Sequence, residues 1–246
     1  MNNRQTKTHF ELRKRAVIII GNYGSGKSEV AVNLALHIKR QGENDISIAD
    51  LDVVNPYFRS REAIAPLESE GINVVVPRGG HFYADLPIIL PEIKGLFENQ
   101  VGTAIFDVGG DDVGCRILSS MENSVKDHEL LMVVNHLRPF TSTLEGAVSM
   151  MEKLETSSKL KITGFIGNSH LMEDTSLDIV LEGINFLRKL NDFTGIEIRF
   201  VTVPEDLMDE ISLVVDDILL LGVKRILQPP WRPGDYTLRK KRQVQV

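Results

Sequence analysis

The sequence predicts an α/β fold: a single doubly wound domain with a mostly parallel sheet of about seven strands and helices on both faces. Three observations lead there. Short β-rich runs alternate with stretches whose apolar residues recur three and four apart. Several runs are apolar throughout, as strands covered on both faces of a parallel sheet are. A glycine-rich turn joins the first run directly to a helix pattern.

In chain order, the first strand is "AVIII" (Ala16 to Ile20), followed by the turn "GNYGSGKS" and a helix from Lys27 whose apolar side includes Val30, Leu34 and Ile38. "DISIAD" (Asp45 to Asp50) and "INVVV" (Ile72 to Val76) are β-rich and come next, and "GTAIFDV" (Gly102 to Val108) ends in an aspartate before a glycine pair. The later runs are "ELLMVVN" (Glu129 to Asn135), "KITGFIGN" (Lys161 to Asn168) and "IEIRFVTV" (Ile196 to Val203). A helix with Val180, Ile184 and Leu187 on one side precedes the last of them. No linker, repeat or low-complexity stretch interrupts the series, so residues 15–227 read as one domain between a tail at 1–14 and a basic tail at 228–246.

Hydrophobic residues make up 42% of the 246, enough for a sizeable core. The net charge of −6 gives no overall field that would draw the surface onto nucleic acid or lipid headgroups. Cys115 is the only cysteine, which excludes an intrachain disulfide and any Cys-x-x-Cys metal motif, and a reducing cytoplasm is the expected compartment. No apolar run approaches the roughly 18 residues of a membrane span, and the N-terminus reads as neither signal peptide nor anchor. His81, His128, His136 and His170 lack metal-ligand spacing. Pro229, Pro230, Pro233 and Gly234 break any amphipathic helix in the C-terminal tail.

The chemistry sits in the first turn. Gly21, four residues, then Gly26-Lys27-Ser28 fits G-x-x-x-x-G-K-[ST], a loop whose backbone N–H groups cradle phosphates at the start of a helix. Gly21, Asn22, Tyr23, Gly24, Ser25, Gly26, Lys27, Ser28 and Glu29 are therefore candidate nucleotide-binding residues, with Lys27 on the β and γ phosphates and the Ser28 hydroxyl on Mg²⁺. Such a loop needs carboxylates for the metal and the attacking water. Asp107, at the end of an apolar strand, is the candidate for the Mg²⁺ shell. Asp52 or Asp111 would orient water, Asp52 being a further candidate metal ligand; Asp50, Asp52, Asp111 and Asp112 equally suit helix caps and turns. Arg59, Arg61 and Arg78 suit carboxylate or phosphate recognition, or plain solvation.

The ordered set "GNYGSGKS", "ADLDVVNP", "FDVGGDDVG", "GFIGNSH" and "VTVPEDL" resembles the CobQ/CobB/MinD/ParA group of P-loop nucleotide-binding proteins, and with it the nitrogenase iron proteins. The resemblance implies that Asp52, Asp107, Gly110 and Asp111 flank the γ-phosphate, that Asn168 contacts adenine, and that Pro204 and Asp206 belong to a loop closing over the base. Regulatory ATPases of the group usually carry a lysine after the first loop glycine, reaching across a dimer; Asn22 stands there. No second cysteine accompanies Cys115, so no iron–sulfur cluster is expected.

No Asn-Lys-x-Asp tetrad for guanine occurs, so ATP is favoured over GTP. The leading expectation is a Mg²⁺-dependent ATPase acting as a nucleotide switch for a protein partner, possible as a homodimer. The alternative is a small-molecule kinase or ATP-dependent ligase acting on an acidic metabolite.

Overall fold

The computed structural model describes residues 10–52, 60–76, 91–99, 101–110, 112–121, 124–125 and 127–227. Eight strands form one sheet: β1 (Ala16–Ile20), β2 (Ile46–Leu51), β3 (Asn73–Val75), β4 (Thr103–Val108), β5 (His128–Val134), β6 (Gly164–Gly167), β7 (Ile198–Pro204) and β8 (Leu220–Val223). Seven helices accompany them: α1 (Lys27–Arg40), α2 (Ile64–Ser69), α3 (Pro91–Glu98), α4 (Asp112–Ser120), α5 (Leu144–Ser158), α6 (Leu177–Thr194) and α7 (Met208–Val214). The sheet order is β3-β2-β4-β1-β5-β6-β7-β8, and every neighbouring pair is parallel. All strands therefore end along the same edge, where α/β sheets bind ligands.

The continuous apolar strands are explained by two cores. Ile18, Ile20, Phe106, Met132 and Val134 face one layer with α3, α4, α5, α6 and α7. Their alternates Val17, Ile19, Ile105, Leu131 and Val133 face the other, against α1 and Leu67 of α2. Phe106 stacks on Phe97 of α3 with centroids 3.8 Å apart and planes 3° from parallel. Two later helices begin as their sequences dictate. Thr143 caps α5 by accepting from the Gly146 N–H, and Ser176 caps α6 by accepting from the Ile179 N–H.

β8 is an element that the periodicity does not reveal. Four residues are too few to show a strand period, and this one is fixed by pairing with β7 at the sheet margin. The run at 161–168 becomes a strand only over Gly164–Gly167.

Phe106 is fully buried in this arrangement. Phe106→Ala is expected to cost roughly 3–5 kcal/mol of unfolding free energy, read from urea denaturation.

Candidate functional site

The glycine-rich loop runs from the end of β1 to the start of α1. Gly24 and Gly26 take positive φ values of 76° and 85°, which an L side chain adopts only with strain, and the Ser25 N–H closes the turn on the Asn22 carbonyl at 3.1 Å. Gly26 is the N-cap of α1, and no side chain bonds back to cap it. The first-turn amides of α1 are thus left facing the loop, the condition for anion binding at a helix N-terminus.

Three strands brace the loop from one side. Arg138, four residues past the end of β5, donates from Nε to the Gly24 carbonyl at 2.8 Å. Asn168, just past β6, donates from Nδ2 to the Ser25 carbonyl at 2.7 Å while its Oδ1 accepts from the Thr202 hydroxyl of β7 at 2.6 Å. A Cβ on Gly26 would lie 2.1 Å from Asn168 Nδ2, so the glycine is what lets the amide reach the loop. The amide expected to contact adenine is already engaged at both ends. One N–H and one lone pair are left for a base.

On the other side lie the carboxylates. Parallel pairing of β2 with β4 sets Asp50 opposite Asp107. Asp50, Asp52 and Asp107 are all buried, as are Lys27 and Ser28. Lys27 Nζ stands 3.5 Å from Asp52 Oδ2, and the Asp52 N–H donates to Asp50 Oδ1 at 3.0 Å. Neither oxygen of Asp107 closes a hydrogen bond of normal geometry, although the Ser28 hydroxyl faces it. Desolvation first, then the charge of Asp50, pushes the Asp107 carboxyl up to about 7, against the pull of Lys27. An orphaned buried carboxylate beside a serine hydroxyl is a hard-oxygen donor set of the type Mg²⁺ takes. Among the described residues no three His, Cys, Asp or Glu side chains converge as a self-sufficient metal cage.

Gly110 packs against the loop so closely that a Cβ there would fall 1.7 Å from the Gly21 carbonyl. Asn22 is buried with neither amide atom bonded. Asp111, together with Asn55, Arg59, Arg78, residues 1–9 and the tail at 228–246, lies outside the described residues, whereas Phe10 of the segment expected as a tail is buried against Phe200.

A cavity of about 640 Å³ opens on the β6–β8 side, within the size range of small-molecule sites. The loop residues Tyr23, Gly24, Gly26, Lys27 and Ser28 form its floor. Asn168, Pro204 and Asp206 line it, and Glu29 does too. The Glu29 carboxylate also accepts from the Ile226 and Leu227 N–H groups at 2.7 and 3.1 Å, while burial raises its pKa. Asn33, one turn on, exchanges hydrogen bonds with the Lys224 backbone. These contacts hold segment 224–227 as a cavity wall. Sequence reasoning missed this wall, Thr202 and Arg138; only the arginine left a signal, as a basic residue just past a strand end and before Pro139.

No protein-family model matches the chain, and no curated protein sequence does either. Solved structures do. The 54 kDa protein of the signal recognition particle from Aeropyrum pernix, in complex with GDP, superposes with a TM-score of 0.54 at 18% identity over 80% of this chain. The chain has a P-loop NTPase fold. The FtsY proteins of Mycoplasma mycoides and Thermotoga maritima give TM-scores of 0.54 and 0.52 at 17% and 20% identity over 83% and 82% of this chain. The chain spans 43% of the signal recognition particle protein and 64% and 66% of the two FtsY chains. At this distance the likeness shows the fold alone. No helix among the described residues is long and apolar enough to cross a membrane.

His170 lines the cavity between two arginines. Burial, then Arg138 and Arg225, pushes its pKa down to about 4. A histidine with a depressed folded pKa stabilises the fold above its unfolded value near 6.5 and loses that contribution as pH falls toward 4. The unfolding free energy of the wild type should therefore fall relative to His170→Gln by about 3 kcal/mol across that window, measured by urea melts at a series of pH values. A pH-independent difference would refute the burial argument.

Proposed function

We propose that the chain binds Mg·ATP and hydrolyses it as a nucleotide switch for a protein partner. The observation that carries this reading is the juxtaposition at the loop: a buried carboxylate with no hydrogen bond, Asp107, beside Ser28 and Lys27 at an uncapped helix N-terminus. Ser28 and Asp107 would hold Mg²⁺, which when bound neutralises phosphate charge and orients the γ-phosphoryl group. With only two such protein ligands, phosphate oxygens and water would complete the shell.

Lys27 is poised between two roles. With the loop free it sits on Asp52; with a triphosphate in the loop its ammonium would turn to the β and γ oxygens, releasing Asp52 to orient the attacking water. Asp111 is the alternative water-orienting residue. Gly110 would report the γ-phosphate, since its backbone already touches the loop at Gly21. Exchange of ionic partners on nucleotide binding is the local event by which switch segments are reordered.

For the base, the support is the missing guanine tetrad. The chain should bind ATP at least about tenfold tighter than GTP, a gap of about 1.4 kcal/mol. Calorimetry with each nucleotide and Mg²⁺ decides it, and a preference for GTP would reassign the base.

Lys27→Ala should abolish the heat of Mg·ATP binding, and an unchanged affinity would sink the proposal. Light scattering with Mg·ATP against Mg·ADP tests the switch itself. A dimer formed only with ATP is expected; a constant mass would move the search to a different protein partner or to a metabolite acceptor.

A further inference from the structure

We propose that Arg138 lays the face of its guanidinium against the nucleobase of the bound nucleotide. The inference rests on the nucleotide-binding reading above and assigns a role to a residue that reading leaves unused.

The geometry of the loop has two sides. The residues suited to metal and γ-phosphate, Asp52 directly after β2 and Asp107 in β4, do not line the cavity. The cavity lies on the opposite side, against β6, β7 and β8. A triphosphate threaded along the loop with its γ end at the metal side therefore projects its nucleoside into the cavity. Arg138 stands at that junction, half-buried, lining the cavity and anchored on Gly24.

The anchor decides which surface of the side chain is presented. Nε is spent on the Gly24 carbonyl, so the side-on fork that arginine uses for bidentate phosphate contact is closed. The planar faces stay available, and a weakly hydrated guanidinium stacks well on an aromatic ring. The turn that carries Arg138 is rigid. Its own N–H donates to the Asn135 carbonyl at 3.1 Å, the Thr141 hydroxyl donates to the same oxygen at 2.7 Å, and the Asn135 side chain accepts from the Leu137 N–H at 3.0 Å.

Charge pairing points the same way. Lys27 is paired with Asp52, Lys224 with Glu205 and Arg225 with Glu173, whereas Arg138 has no acidic partner among the described residues. A cation left without a carboxylate can offer its face to a π system without first breaking an ion pair. His170, whose Nε2 would lie 3.1 Å from a Cβ on Gly26, puts a second flat group on the same rim.

The test is calorimetric titration of the full chain with Mg·ATP and, separately, with Mg·tripolyphosphate, which has the phosphates and no base. Arg138→Ala should weaken ATP about five- to thirtyfold beyond its effect on tripolyphosphate, which reads the loss of the brace on Gly24 alone. Arg138→Lys, which keeps the charge and loses the plane, should lose ATP affinity nearly as much. Equal losses on both ligands would make Arg138 a brace of the loop or a phosphate contact and overturn the proposal, as would unchanged ATP affinity in Arg138→Ala or full affinity in Arg138→Lys. Wild-type chain that binds tripolyphosphate but not ATP, or neither, overturns the nucleotide reading itself, and the proposal with it.

Discussion

Two aspartates on adjacent parallel strands, Asp50 and Asp107, are forced side by side by backbone register, in a place from which water is excluded. Nothing in the apolar cores asks for them, and burying an unpaired carboxylate costs several kcal/mol. Lys27 supplies the nearby positive charge, but it is closest to Asp52 and leaves Asp107 without a hydrogen bond. The fold thus brings acidic groups together at the loop, and burial and their mutual repulsion push the Asp107 carboxyl up. The sheet order follows the same constraint. Were β4 not next to β1, Asp107 would not lie beside the loop that begins at Gly21.

The loop itself is a compromise between freedom and support. Its glycines let the backbone turn, and hydrogen bonds from beyond β5 and β6 then fix the shape it takes. Asn168 is central to that support because Thr202 holds it in turn. A free loop would have to order on binding, at a cost in conformational entropy; a braced one has already met that cost during folding.

Most of the architecture was legible in the sequence because the strands are long, apolar and separated by clear helical periods, and because the loop is a dense local signal. The start of α1 at Lys27 could be read from neighbouring residues alone. What was not legible depends on contacts between residues far apart in sequence. β8 exists through pairing with β7, and Asn168 turns toward Ser25 although its position suggested a base contact. Glu29 is a similar case: its place in the loop motif says nucleotide, yet its carboxylate is held by backbone amides almost two hundred residues away. Sequence spacing cannot report such a bond.

That bond limits how far the chain can be shortened without opening the site. Glu29 follows Ser28 directly, and through Ile226 and Leu227 it ties the first turn of α1 to residues beyond the last strand. A fragment ended at Val223 would keep all eight strands and still lose one wall of the cavity. It would also uncover a half-buried acid at the phosphate loop. Any shortening of this protein from that side must therefore keep Leu227, four residues past the point where secondary structure alone would place the cut.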